Sequence, residues 1–329
     1  MPVGTSPLLS VRGLTVRYGR SRESVAALSD VKLDIAPGKI VGILGESGSG
    51  KSTLALAMLG LLPPQATVEG SIKFQDKDLL QADESSWQAI RGAKLSMIFQ
   101  EPGLALSPVM RVGEQISGVI RAHRAVSRKT RKQQCEAVLS EVRLSDVDRI
   151  YKAYPHQLSG GQLHRVAIAQ AVVCGPDLVI ADEATRSLDV TVQSEIMEVL
   201  REINRKAGTA IIFITHNPAL LAGFAERVLV MYAGRVVEDG SVAQVFQRPL
   251  HPYTRGLLQL APGYQQQESF LRHGRFAAIP GSSTFADRLT RGCVFEPRCS
   301  ARTAECKSTS PREVMPEPGW RVSCFHHGN

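Results

Sequence analysis

The chain has 329 residues, 43% of them hydrophobic and 21% charged, which suffices for one large α/β domain plus a smaller one and excludes a disordered protein. The net charge of +8 would suit nucleic acid or an anionic membrane surface. However, the basic residues are scattered apart from Arg128-Lys129-Thr130-Arg131-Lys132. That run has no interleaved aromatic residues and reads as a solvated helix start, with a membrane-surface or partner contact as the alternative. No stretch approaches the roughly 18 consecutive apolar residues of a bilayer-spanning helix, and residues 1–7 lack the basic and apolar regions of a secretory signal. A cytosolic chain is expected, with any membrane role carried by partners.

In chain order, residues 8–18 and 25–35 read as strands joined by a polar loop at 20–24, an antiparallel-looking start. Residues 40–44 form a third strand, and the segment from Leu54 to Leu62 is helix-like. The region from about 112 to 144 is helical and more polar, as in an inserted helical subdomain. Residues 178–181 and 210–214 are short continuous apolar runs, the pattern of parallel strands buried on both faces. Between them Ile196, Val199, Leu200 and Ile203 recur at helical spacing, which predicts a crossover helix with one apolar face. The pattern breaks near residues 248–252, after which proline, glycine and cysteine rise and sheet periodicity disappears.

Gly45-Glu46-Ser47-Gly48-Ser49-Gly50-Lys51-Ser52-Thr53 is a G-x-x-x-x-G-K-[ST] loop between a predicted strand and a predicted helix. Its glycines let consecutive N–H groups turn inward on a polyphosphate. Lys51 supplies a point charge between β- and γ-phosphates, and the Ser52 hydroxyl can ligate Mg²⁺. A nucleoside triphosphate is therefore the expected ligand of Gly45, Ser47, Gly48, Ser49, Gly50, Lys51, Ser52 and Thr53. Further on, Leu158-Ser159-Gly160-Gly161-Gln162 opens a helix-like segment whose positive N-terminus can hold a γ-phosphate. Asp182 ends an apolar strand, where a carboxylate can hold Mg²⁺ through water. Glu183 beside it is the natural general base for an attacking water. His216 follows the next strand, placed to contact the γ-phosphate and orient that water.

In this order the motifs resemble the ATP-binding cassette (ABC) family. The resemblance implies an α/β fold: a P-loop NTPase cassette with a parallel-sheet core, an N-terminal antiparallel β subdomain and a helical subdomain at about 101–158. It also gives roles to Gln100, which touches Mg²⁺ and reports on the transport subunit, and to Tyr18, whose ring stacks on adenine. The γ-phosphate is enclosed by the signature loop of a second cassette, so Ser159, Gly160, Gly161, Gln162 and Asp189 are expected to act across a dimer with a related cassette or with a second copy. The chain departs from the family pattern at Ala184, where proline is usual, at Arg186, usually small or hydroxylated, at Asn217, usually aspartate, and at His164, usually glutamine. Lys51, Asp182, Glu183 and His216 are retained, so an active hydrolase is expected, with two composite sites that need not be equally fast.

The tail narrows the resemblance. His251-Pro252-Tyr253-Thr254-Arg255-Gly256-Leu257-Leu258, Ile279-Pro280-Gly281, Gly292-Cys293-Val294-Phe295 and Arg298-Cys299 look like the C-terminal extension of dipeptide, oligopeptide and nickel importer ATPases. This divides the chain into a cassette at 8–247 and a small, loop-rich extension at 248–329. It implies a peripheral ATPase on the cytoplasmic side of the cell membrane, working with two permease subunits, a second ATPase subunit and an extracytoplasmic solute-binding protein, with peptides as cargo. A nickel or metal-chelate importer is the alternative. A soluble ABC ATPase acting in a nucleic-acid or metabolic complex is a further one. Cys135 and Cys174 are isolated in helix-like segments and read as small apolar residues, whereas Cys293, Cys299, Cys306 and Cys324 crowd the last 37 residues. Disulfides are not expected in a cytosolic chain, and the spacing C-x5-C-x6-C-x17-C lacks the short knuckle of structural zinc sites. Zinc, an iron–sulfur cluster and plain reduced thiols all stay open. The resemblance favours [4Fe-4S], because members of that branch carry one.

Overall fold

A computed structural model describes residues 6–19, 26–259, 279, 281, 288 and 290–327. The polar loop expected at 20–24, the first residue of the strand expected from Val25, and Pro280 lie outside these residues. The strands are β1 Leu9–Tyr18, β2 Ala26–Ile35, β3 Ile40–Leu44, β4 Ala66–Phe74, β5 Lys77–Asp78, β6 Leu95–Ile98, β7 Leu178–Asp182, β8 Ala210–Thr215, β9 Arg227–Tyr232, β10 Arg235–Ser241, β11 Val314–Glu317 and β12 Trp320–Val322. The helices are α1 Lys51–Met58, α2 Glu84–Ile90, α3 Pro102–Ala105, α4 Val112–His123, α5 Arg128–Glu141, α6 Val147–Lys152, α7 Gly160–Val172, α8 Val190–Ala207, α9 Val242–Gln247, α10 Pro252–Gln259 and α11 Ala304–Ser308.

The chain divides into two compact units, one of Met1–Ile35, Ile40–Leu80 and Thr215–Asn329, the other of Ala36–Lys39 and Gln81–Ile214. In the first unit, β2, β1, β4 and β5 form an antiparallel sheet in that order. Alternation decides its face: Leu9, Val11, Leu14 and Val16 of β1 are fully buried while the residues between them are not. The same unit carries β3 parallel to β9, with β10, β12 and β11 added antiparallel in turn. The tail is therefore not wholly loop: β11 and β12 form a hairpin that joins the sheet at Glu238 and Asp239 of β10. Both of these carboxylates are buried and satisfied. Glu238 accepts from the backbone of Leu250 and His251 (2.9 and 3.0 Å) and from Trp320 Nε1 (3.0 Å). Asp239 is gripped by Arg227 and Arg321. Removing both Arg227 and Arg321 would leave Asp239 a buried charge without a counter-charge, which costs about 3–5 kcal/mol.

In the second unit β6, β7 and β8 run parallel, and every residue of β7 and β8 is buried, as their continuous apolar runs predict. Helix α8 buries Ile196, Met197, Val199, Leu200 and Ile203, the expected crossover face, and stops where Gly208 takes φ 69°. Helices α3 to α6 occupy the expected helical region. One boundary moves. Helix α1 begins at Lys51 rather than Leu54 because Gly50, at φ 105°, lets the loop turn directly into the helix, and Gly60 at φ 60° closes it early. Helix α7, expected to open within residues 158–162, begins at Gly160 because Ser159 and Gln162 form a reciprocal capping box.

Candidate functional site

The phosphate-type loop follows β3 directly. Gly45 is required there, since a Cβ would stand 2.4 Å from the Met231 carbonyl, and Gly48, at φ 79°, faces open space. That combination leaves a bare backbone cradle at the N-terminus of an eight-residue helix. The loop is pinned from below by Gly234 N–H donating to the Ser49 carbonyl at 2.9 Å. Lys51 is 5% exposed, and its Nζ donates to the carbonyls of Gly45 and Glu46, both at 2.8 Å, and to Ser49 Oγ at 3.3 Å. A buried ammonium held by three oxygens is a fixed positive charge inside the cradle. Ser47 and Ser52 are exposed, and Thr53 Oγ1 accepts from Tyr18 Oη at 3.3 Å, so the Tyr18 ring, 40% exposed, is tethered to the first turn of α1. His216 is exposed just beyond β8. Asn217 caps the turn that follows by accepting from the Ala219 N–H at 3.0 Å, a task for which asparagine serves as well as aspartate.

The second unit brings Gln100, Asp182, Glu183 and Arg186 to one end of its parallel strands. Asp182 is 3% exposed, the last residue of β7. Glu183 adopts φ 46°, the left-handed region that a non-glycine residue occupies only at a cost of order 1–3 kcal/mol. Its backbone N–H donates to the Ile214 carbonyl at 3.0 Å, which holds the strained peptide in place. Its Oε2 accepts from Gln100 Nε2 at 3.4 Å and from Arg186 Nη1 at 3.3 Å. The arginine that breaks the family pattern is thus an ion-pair partner of the expected base, while Ala184, where proline is usual, is fully buried. Ser159 Oγ accepts from Gln162 N–H at 3.3 Å and Gln162 Oε1 from Ser159 N–H at 3.1 Å, with Gly160 and Gly161 in the first turn of α7. Asp189 Oδ1 likewise caps α8, accepting from Val192 N–H at 3.0 Å. His164, where glutamine is usual, is buried with Nδ1 2.9 Å from the Gly160 carbonyl, and burial lowers its pKa.

Hard oxygen donors, the Ser52 hydroxyl and the Asp182 carboxylate, suit Mg²⁺. The cysteines differ. Cys293, Cys299, Cys306 and Cys324 are all free thiols. Burial pushes Cys293 up to about 11, and the neighbouring Cys306, Cys324 and Cys299 add to the rise. Among the described residues, however, no group of three or more His, Cys, Asp or Glu side chains is arranged to hold a metal ion. The thiols share one neighbourhood without forming a ligand set. Cys135 and Cys174 are buried, as their apolar reading predicts. Next to the tail thiols, His326 N–H donates to Cys324 Sγ at 3.4 Å, and the His327 ring lies 2.7 Å from the Cys324 carbonyl. No helix among the described residues is long and apolar enough to cross a membrane.

Residues 28–186 match the family model described as ABC transporter, and residues 237–306 match that of the oligopeptide/dipeptide transporter C-terminal region. The chain is 41% identical to the oligopeptide transport ATP-binding protein AppD of Bacillus subtilis, covering 97% of both chains. It is 40% identical to the oligopeptide transport ATP-binding protein OppD of Salmonella typhimurium, covering 98% of this chain and 95% of that one. Among solved structures, the dimeric post-hydrolysis ATP-binding cassette MJ0796 bound to ADP and Pi aligns with a TM-score of 0.64 at 30% identity, covering 71% of this chain and 98% of that one.

Proposed function

Because the chain belongs to the ABC transporter family, in the branch that carries the oligopeptide/dipeptide C-terminal region, we propose that it is the ATP-hydrolysing subunit of a di- or oligopeptide importer. The observation that carries this reading is the similarity to oligopeptide transport ATP-binding proteins over nearly the whole length of both chains. The cassette is read as residues 8–247 and the extension as 248–329. The chain is read as peripheral on the cytoplasmic face of the cell membrane, and no helix among the described residues is long and apolar enough to cross it. It would dock on two permease subunits beside a second cassette, with cargo delivered by an extracytoplasmic binding protein.

The chemistry follows from the residues described. The N–H groups from Ser47 to Ser52 and the buried Lys51 ammonium bind the β- and γ-phosphates, and Tyr18 stacks on the base. Ser52, Gln100 and Asp182 are the residues read as holding Mg²⁺, which would neutralise charge developing on the phosphates. Glu183 accepts a proton from water as the water oxygen bonds the γ-phosphorus and the bond to the β-bridging oxygen breaks, and His216 orients that water. Phosphoryl transfer needs positioning more than covalent help, which suits a base fixed in a strained backbone position. Ser159, Gly160, Gly161, Gln162 and Asp189 are read as the groups presented to a partner cassette, an assembly of the kind described for dimeric MJ0796.

For Cys293, Cys299, Cys306 and Cys324 the reading is a [4Fe-4S] cluster, with zinc as the alternative. What supports this reading is that the four free cysteines share one neighbourhood: burial, and to a smaller extent nearby thiols, raises the pKa of Cys293, Cys299 and Cys324. Their present arrangement does not fit a bound metal, so no step of the hydrolysis is routed through one. Iron and acid-labile sulfide in anaerobically prepared protein test this part. Function itself is tested by isolating the tagged chain from detergent-solubilised membranes and identifying co-purifying chains by mass spectrometry. Two multi-spanning permeases with a second cassette are expected. Recovery only with nucleic acid or a metabolic enzyme would overturn the importer reading.

A further inference from the structure

The second residue of the phosphate loop, Glu46, is held from three sides, two of them by residues far away in sequence. Its backbone N–H donates to Tyr253 Oη at 2.8 Å, its carbonyl accepts from Lys51 Nζ at 2.8 Å, and its carboxylate is gripped by both Nη atoms of Arg298, at 2.7 and 3.1 Å. Arg298 lies 252 positions further along and is itself buried, at 8% exposure. It also contacts the Gly281 carbonyl at 3.1 Å and Tyr232, whose hydroxyl is at 3.3 Å and whose ring centre is 5.6 Å from the guanidinium. The Tyr232 ring beside the guanidinium is itself held edge-on by Tyr253 and Phe295, with ring centres 4.7 and 5.2 Å away. A second tail arginine, Arg288, donates to the Gly48 carbonyl of the same loop.

A carboxylate on a loop that receives a triphosphate is a liability, since like charges repel at close range. A bidentate guanidinium cancels it, and the rigid fork also fixes the orientation of the peptide whose carbonyl anchors Lys51. We propose that Arg298 is a positioning residue for nucleotide binding: by clamping Glu46 it neutralises the phosphate loop from behind and makes the C-terminal segment a working part of the ATP site. The proposal rests on the reading of the Gly45–Thr53 loop as the ATP site, so MgATP binding by the wild-type chain is the control that tests that reading separately. The clamp spans the joint between cassette and tail. The tail therefore contributes to nucleotide affinity even though its own residues need not touch the nucleotide.

The test is MgATP binding to the full chain by calorimetry, with steady-state hydrolysis alongside. Arg298→Met leaves Glu46 charged and unclamped, and the Kd and KM for MgATP should rise about tenfold or more, with kcat at saturation changing far less. Arg298→Met combined with Glu46→Gln removes the unpaired charge and should return Kd to within about threefold of wild type. Arg298→Lys keeps the charge but loses the fork and should fall between the two. If Arg298→Met does not fold, Arg298→Lys with and without Glu46→Gln carries the same comparison. A purely structural arginine would give a loss that Glu46→Gln cannot rescue. That result, or an unchanged Kd in Arg298→Met, overturns the proposal.

Discussion

Acidification should loosen this protein through His251 before its exposed carboxylates matter. The ring is 1% exposed beside Phe295, with Nδ1 accepting the Tyr253 N–H at 3.1 Å, and burial lowers its pKa from 6.5 to about 3. A histidine held neutral in the fold and free to protonate when unfolded contributes stability that is complete above about pH 6.5 and is lost progressively down to about pH 3. At pH 5 the loss spans about 1.5 pH units below the unfolded value, and at about 1.36 kcal/mol per unit this is about 2 kcal/mol. The total approaches about 5 kcal/mol near pH 3, an upper figure because the neighbouring structure can relax. The buried Glu238, which accepts from His251 N–H and whose pKa is raised by burial, titrates in the opposite sense, so a pH scan of the wild type alone mixes the two. His251→Asn separates them, because an amide oxygen can still accept the Tyr253 N–H but nothing titrates. Thermal unfolding of both proteins between pH 7.5 and pH 5 is the assay. The wild type should lose about 2 kcal/mol more than the variant across this interval. Parallel curves would refute the reasoning and mean that the ring is hydrated or already paired.

Two further substitutions probe the catalytic end of the second unit. Glu183→Gln should lower phosphate release by about 10² to 10⁴ while MgATP binding is retained, and unchanged hydrolysis would remove Glu183 from the role of base. Arg186→Ser frees the Glu183 carboxylate from a half-exposed ion pair, a bond worth at most about 1 kcal/mol, so turnover should rise by no more than about fivefold. A fall in kcat would show that the arginine assists the base rather than restraining it.

The site was legible in sequence where its parts are local. The loop from Gly45 to Thr53 is one continuous string whose glycines answer to the φ angles of Gly48 and Gly50, and Ser159 with Gln162 is a capping box spelled within four residues. Asp182 and Glu183 could be placed because an apolar run ending in a carboxylate marks the exit of a buried strand. The departures at Arg186, Asn217 and His164 were visible as letters but not as contacts. One is an ion pair with the base, one a helix-turn cap and one a buried ring on the Gly160 carbonyl. The four cysteines drew a metal reading from their count and crowding, which the arrangement of the thiols does not by itself supply.

Sequence by itself determined the parallel strands, the crossover helix and the phosphate cradle, because each depends on spacing between residues a few positions apart, where backbone geometry alone sets who faces what. Only the tertiary structure decided that the tail hairpin extends the sheet at β10, that Glu238 and Asp239 are its buried hubs, and that Arg298 reaches Glu46 across 252 positions. Such contacts are fixed by burial in a shared core, where a charge must find whichever partner the packing brings within reach, and no local pattern records which partner that is.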